Sequence, residues 1–553
     1  MQLNAVSSAQ TLPRLSTYGK ELLSKVNNGA PLEPNQRLKI TAYSTHLPLV
    51  YNIVETAYRD FNSGLVVVDL KEKEFENLKT ELEIREEFDF VDCRDKELAQ
   101  SGAALITFAD DHTSYTNAGF SETDIEALVK SICPEIPSDV RELLKINPEE
   151  ILKGCLDLRP SQPLSITGSR EQLPQMLELA RYAYKDGTKL VKLELDEKKE
   201  FDYGIPFYNY ANDIALNDVP EYLVAKEKEI LERNVADLIF DCLDPTKFEG
   251  IDPERIQQRQ SLISKKIREY RDASIGQVPY CFYNLPSTAS AIGAGYTSLK
   301  EAAIDAIKIN RTGHFKSHIE DLRIRTDKLN ALVKEGYRTL YFISVKPGTE
   351  IPDGKTSLKV VLTPKSIFCS IGELTKSGQF YVANVPSEEN WNTPDCTKTE
   401  GIVSMTRSVS INGTIIDGIK MEFKDGKVIK ASATKNEEVL LKWLEKNENA
   451  DRLGEVALVA GSPIFDLNRV FNNILVDENA TCHIALGDSY SCCIEGADDI
   501  TSQDEKRKFL ASLNCNNSPV HIDFMIGGPD VMVLAEKPDG TRKLLIQNNK
   551  FEI

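Results

Sequence analysis

Two histidines of this chain sit beside carboxylates inside apolar, strand-like sequence. One stretch reads Asp477-Glu478-Asn479-Ala480-Thr481-Cys482-His483-Ile484-Ala485-Leu486-Gly487, the other Val520-His521-Ile522-Asp523-Phe524, and the chain has only six histidines in all. A buried carboxylate beside an imidazole is costly unless something compensates it, and a metal ion is the commonest compensation. His521 and Asp523 are two apart, so a strand presents both from one face. Glu478 and His483 are five apart, which neither a regular strand nor a regular helix aligns, so Asn479-Ala480 is predicted to be a turn or irregular link. Two more stretches stand out: Pro386-Ser387-Glu388-Glu389, and Leu453-Gly454-Glu455-Val456-Ala457-Leu458-Val459, where Glu455 opens an apolar strand. If all are ionised, Glu389, Glu455, Glu478 and Asp523 are neutralised by two divalent cations. With His483 and His521 as neutral nitrogen donors, the six suit a dinuclear site of roughly 3.5–4 Å separation.

Each element has a plainer reading. A histidine in an apolar strand is more often a hydrogen-bonded core residue than a ligand. Glu388-Glu389 also suits a solvated loop or a helix start. Glu455 also suits an exposed strand tip, and Tyr490 a core cap.

The elements that must position these residues change character along the chain. Leu47 to Phe61 has helical spacing. Gly64 to Leu70 reads as a buried strand and Gly102 to Ala109 as a short apolar strand, an alternation that predicts a parallel α/β sheet. Lys39-Ile40-Thr41, Leu47-Pro48 and Ala57-Tyr58 are echoed at one constant spacing by Ser165-Ile166-Thr167, Leu173-Pro174 and Ala183-Tyr184. Each copy runs on into a strand, the second over Lys189 to Leu195, so an α/β unit is predicted to be duplicated. Helices are predicted over Pro253 to Tyr270, Ser298 to Ile309 with Ser298 as N-cap, and Ile319 to Gly336. Beyond Tyr337 strands dominate: Thr339 to Val345, Ser357 to Leu362, Gln379 to Asn384, and Ile402 to Ser410 and Thr414 to Phe423 flanking a hairpin turn at Asn412-Gly413. Asp425-Gly426 reads as a second tight turn. The predicted fold class is α/β, a parallel N-terminal region with a duplicated unit followed by a strand-rich α/β (α+β) C-terminal domain. The predicted boundaries are 1–160, 161–312 with a helical connector, and 313–553 as the catalytic domain.

At 553 residues and 41% apolar content the chain is globular, with room for several cores. A net charge of -19 disfavours nucleic acid and anionic membrane surfaces and favours cations, including the ammonium of a peptide N-terminus. No apolar run reaches the roughly 20 residues of a membrane span, and Met1-Gln2-Leu3-Asn4-Ala5 lacks the order of a signal peptide. The eleven scattered cysteines have no CxxC spacing, and vicinal Cys492-Cys493 is poorly placed for an ordinary bridge. Free thiols in a reducing cytoplasm are expected.

Together the four stretches resemble the thermophilic aminopeptidase family of metallopeptidases (M29, aminopeptidase T and its relatives). That family has Asn-x-Pro-Ser/Thr-Glu-Glu, Leu-Gly-Glu-x-Ala-Leu-Val, Asp-Glu-Asn-Ala-x-x-His-Ile-Ala-aromatic/Leu-Gly and Val-His-x-Asp-x-Met-Ile-Gly, in that order. Here they read Asn384 to Glu389, Leu453 to Val459, Asp477 to Gly487 and Val520 to Gly527. The resemblance implies an exopeptidase that releases N-terminal residues from short peptides through a dinuclear metal-activated water. It implies Glu389, Glu455, Glu478, His483, His521 and Asp523 as ligands, with Glu455 bridging. It implies Tyr490 as the donor to the tetrahedral intermediate and Glu388 as the residue handling the water's proton, with Glu389 favoured over Glu388 as ligand. The ions implied are zinc, cobalt, manganese or magnesium, and the assembly implied is a homodimer. Where the family continues with a Val-Phe-Thr type run, this chain has Asn390-Trp391-Asn392-Thr393, which would reshape the substrate pocket. The resemblance is strongest from about 255 onward, and it leaves an extra unit, somewhere within about 36 to 250, without a family counterpart. A non-catalytic binding or scaffold protein that retains a structural metal site is the alternative, and a hydrolase of another amide or a phosphate ester is a third reading.

Overall fold

The computed structural model describes residues 11–132, 135–240, 247–411, 414–471, 473–500 and 502–553. They form two compact units, one comprising 1–290 with 373–382, the other 291–372 with 383–553.

In the first unit Leu38–Tyr43 lies between Val66–Lys71 and Ala104–Thr107, all parallel. Leu164–Ser169 lies in the same way between Val191–Asp196 and Ala236–Phe240, with Tyr280–Tyr283 added parallel to the last. Leu38 faces Val66 and Ala104, and Leu164 faces Val191 and Ala236. The echoed residues therefore occupy matching rungs of two sheets with the same strand order. The central strand in each is followed by a short 3-10 turn and a helix, Leu47–Phe61 or Leu173–Lys185, with proline in its first turn. Proline suits that position because its missing N–H has no intrahelical partner there.

Two strands differ from expectation. Val66–Lys71 is largely half-buried, and Ala104–Thr107 alternates buried with exposed residues, leaving Leu105 63% exposed. Both lie at the edges of a three-stranded sheet, where one face and one flank lack cover. The helix predicted from Pro253 extends to Ser274, and Phe315–Lys334 begins four residues before its predicted start. Ser298 does cap Leu299–Ile309, accepting from the Glu301 N–H.

The second unit is a pair of antiparallel sheets. Eight strands run in the order Lys427–Ser432, Lys420–Lys424, Glu400–Ser404, Pro352–Val361, Thr339–Val345, Val531–Glu536, Arg542–Gln547, Lys550–Phe551. Five more run in the order Cys369–Ser370, Asn390–Asn392, Leu453–Leu458, His483–Gly487, His521–Met525. One core draws on both, with Phe342, Val360, Met421 and Val533 from the first and Val456, Ile484, Leu486 and Phe524 from the second. The two long strands expected on either side of Asn412-Gly413 are each broken in two. Glu400–Ser404 pairs with Lys420–Lys424, and Val409–Ile411 with Thr414–Ile416. Gly418 at φ +64 breaks the returning strand. Asn412 and Gly413 themselves lie outside the described residues. The predicted Asp425-Gly426 turn is present, both residues having positive φ as a tight hairpin requires. The strand expected over Gln379 to Asn384 is reduced to the pairs Phe380–Tyr381 and Asn384–Val385. Phe380–Tyr381 closes a small hairpin with Glu373–Leu374 instead of extending a larger sheet.

Candidate metal centre

The five-stranded sheet brings distant residues together through its register. Glu455 faces Ala485, and Ala485 faces Asp523, so the three share one rung and one face. His483 is two residues from Ala485, and His521 two from Asp523, so both imidazoles join the same face. Glu389 stands immediately before the strand Asn390–Asn392, which lies between Cys369–Ser370 and Leu453–Leu458. The alternate residues Val456, Ile484 and Phe524 form the neighbouring rung and enter the apolar core. Period-two alternation thus places charge on one side of these strands and core on the other.

The polar atoms fall into two groups of three that share one residue. Ligand atoms of Glu389, Glu455 and His483 lie within 4.8 Å of one another, as do those of Glu455, His521 and Asp523. His483 Nε2 is 3.1 Å from Glu389 Oε2 and 3.9 Å from both Glu455 Oε1 and Asp523 Oδ1. His521 Nε2 is 3.1 Å from Glu455 Oε2 and 3.5 Å from Asp523 Oδ1. Glu389, Glu455, His483 and Asp523 are buried. Glu478, in the 3-10 turn Glu478–Ala480, lies near enough to feel the charges of Asp523, Glu389 and Glu455. That turn is the irregular link the spacing required.

Both imidazoles are held by their other nitrogen. His521 Nδ1 is 2.8 Å from the Asp488 carbonyl, and His483 Nδ1 is 3.4 Å from that of Thr481. Such backbone anchors turn Nε2 toward a ligand, an arrangement typical of metal-binding histidines. Gly454 makes one anchor possible, because a Cβ there would meet Asp488 O at 1.9 Å.

Burial and close approach set the charges of these groups against one another. Burial pushes the Glu455 carboxyl up to about 7, against the opposing His521 hydrogen bond. Burial, with Asp523, Glu389 and Glu455 close by, raises Glu478 well above the carboxylate range. Burial works to lower His483 and His521, yet their carboxylate partners raise them to about 9 and about 12. Burial opposes the charge on Asp523 too, and the nearby His521 and His483 imidazoles outweigh it and bring that carboxyl down. Glu389 Oε2 and Asp523 Oδ1 are nonetheless buried with no hydrogen-bond partner. A buried, unpaired carboxylate oxygen is expensive, and a divalent ion among these nitrogen and oxygen donors would satisfy both. The donor set and its orphaned acceptors therefore fit metal ions.

Around this cluster, Tyr490 stacks at an angle on His521, ring centroids 4.9 Å apart, and is 42% exposed. Burial of its hydroxyl and the carboxylates of Glu455, Asp523, Glu478 and Glu389 keep the phenol protonated well beyond its usual range. Glu388 points elsewhere: both its oxygens accept from Arg311, at 2.6 and 2.8 Å, and His318 Nε2 is 3.6 Å away. Asn479 Oδ1 accepts the Glu388 backbone N–H at 2.7 Å. Sequence reasoning singled out neither Arg311 nor His318, both distant in the chain and in unremarked sequence.

A family model described as thermophilic metalloprotease (M29) matches residues 143–551. The chain is 30% identical over 440 residues to aminopeptidase PepS of Streptococcus thermophilus, covering 76% of this chain and 100% of that one. It is 28% identical over 418 residues to aminopeptidase 2 of Geobacillus stearothermophilus, covering 73% and 96%. The solved structure of wild-type AmpT from Thermus thermophilus superposes with a TM-score of 0.64 at 26% identity, covering 75% of this chain and 99% of that one. The matched span takes in the second parallel sheet and leaves out the first.

Proposed function

Because the chain belongs to the thermophilic metalloprotease family (M29), we propose that the Glu455 cluster is the two-metal centre with which it releases N-terminal residues from short peptides. The chain is a metal-dependent aminopeptidase, in keeping with its curated relatives. One observation carries the assignment of the centre: two three-donor groups share Glu455, and two of their buried carboxylate oxygens lie beside imidazoles without a hydrogen bond. Glu389, Glu455 and His483 would hold one ion, and Glu455, His521 and Asp523 the other, with Glu478 completing the set. Bound zinc, cobalt, manganese or magnesium would supply Lewis acidity, lowering the pKa of water toward neutrality and polarising a carbonyl.

The chain's own groups do the rest. The chain's net charge of -19 favours cationic substrates, the ammonium of a peptide N-terminus among them. Tyr490 stands at the exposed rim and donates its hydroxyl proton's hydrogen bond to the carbonyl oxygen as that oxygen gains charge. Glu388, which Arg311 and His318 hold away from the cluster, accepts the proton of the attacking water after it leaves Arg311. The carbonyls of Asp488 and Thr481 keep both imidazoles oriented throughout. We further propose that the enzyme works in the cytoplasm, where thiols such as its nine described free cysteines persist, and as a homodimer.

Elemental analysis of the purified protein should find two divalent ions per chain. Chelation should abolish hydrolysis of aminoacyl chromophores, and one of the four metals should restore it. Bound metal without hydrolysis across a broad aminoacyl panel would favour the scaffold reading instead, and one ion per fully active chain would end the two-metal assignment.

A further inference from the structure

We propose that Cys369, Cys492 and Cys493 form a separate metal site that takes one thiophilic d10 cation of the zinc and cadmium class. Cys369 lies on the edge strand Cys369–Ser370, directly opposite Trp391. Cys492 and Cys493 lie in the 3-10 turn Ser491–Cys493, immediately after Tyr490. The three sulfur atoms all lie within 4.8 Å of one another. Sulfurs around a tetrahedral zinc, at about 2.3 Å from the ion, stand roughly 3.8 Å apart, so small side-chain rotations close the site. Cys493 is buried, while Cys369 and Cys492 are half-buried and leave a way in.

Number and softness identify the occupant. A disulfide would use two of the sulfurs and strand the third, and the vicinal pair is poorly disposed to bridge. Three thiols, with no histidine or carboxylate in the group among the described residues, select a soft ion over hard ones such as magnesium. On binding, each thiol gives its proton to solvent, so three protons leave and three sulfur–metal bonds form. The contacts given up include that of Cys369 to the Cys492 carbonyl at 3.3 Å and that of Cys493 to the Trp391 carbonyl at 3.9 Å. The ion would tie the turn that carries Tyr490 to the strand edge.

Titration of the reduced full-length protein with Cd2+ tests this through the ultraviolet thiolate-to-cadmium charge-transfer band, which imidazole and carboxylate ligands do not give. The band should saturate at one ion per chain. Cys369→Ser and Cys492→Ser should each remove at least half of it and weaken binding at least tenfold, with an unchanged circular dichroism spectrum. Cys93→Ser, at an exposed thiol, should leave it intact. No band from fully reduced protein, or a band that survives both Cys369→Ser and Cys492→Ser, would overturn the site. Neither result touches the aminopeptidase assignment, because the readout is blind to the Glu455 cluster.

Discussion

The parallel sheets of the first unit and the five-stranded antiparallel sheet of the second both carry carboxylates on their strands, and they neutralise them differently. In the parallel sheets each is met by a fixed cation. Arg94 bonds Asp69 at 2.8 Å and Asp95 at 3.0 Å, and Lys39 takes Asp95 from the other side at 2.6 Å. Glu194 lies between Lys192 and Lys226. Buried Arg170 spans Glu72 and Glu197. In the antiparallel sheet, among the described residues, Glu389, Glu455 and Asp523 meet only histidines. A fold that needs charge only for architecture encodes both partners. A fold that needs chemistry encodes one and imports the other.

Four changes break or sharpen that contrast. Glu455→Gln removes the residue shared by both donor groups. Turnover of aminoacyl chromophores should fall at least ~100-fold, the scale set by losing even an outer partner of a metal ligand, while the circular dichroism spectrum stays native. Arg170→Ala leaves Glu72 and Glu197 buried without their cation. Urea denaturation should show a loss of about 3–5 kcal/mol, with metal content per folded chain unchanged. Tyr490→Phe removes one donor at the rim, and kcat should drop ~100-fold to 1,000-fold with little change in KM or thermal midpoint.

The smallest effect belongs to the exception in the parallel sheets. Burial, reinforced by Glu194, raises Asp237 to about 6, and its Oδ1 has no hydrogen-bond partner. A carboxyl with a folded pKa above its unfolded value costs stability as pH rises from about 4 through 6, and the cost is constant above that. Asp237→Asn should therefore stabilise the protein at pH 8 by on the order of 2–3 kcal/mol, at about 1.4 kcal/mol per pKa unit. It should do nothing at pH 4, and equal effects at both pH values would show that the carboxyl is not strained by burial.

Much of this arrangement was legible in the order of residues. The period-two placement of His521 and Asp523, the break between Glu478 and His483, and the apolar setting of Glu455 all follow from local spacing. So do the helix Leu47–Phe61, the Ser298 cap and the matching rungs of the two parallel sheets. What could not be read is the non-local part. Arg311 reaches Glu388 across 77 residues from a turn with no motif. Cys492-Cys493 is conspicuous as a pair, yet only the pairing of Cys369 with Trp391 supplies a third sulfur. Edge position, which leaves Val66–Lys71 and Ala104–Thr107 half open, depends on strand order, and alternation along one strand carries no record of its neighbours.

The methyl of Ala485, seated on the rung between Glu455 and Asp523, sets the width of the chamber above it. Neighbouring strands stand about 4.8 Å apart, so these two carboxylates reach toward each other across two strand spacings, with almost nothing in between. A valine at that place would put branched carbon between the two carboxylates. That small residue keeps open the space that the proposed ions would need.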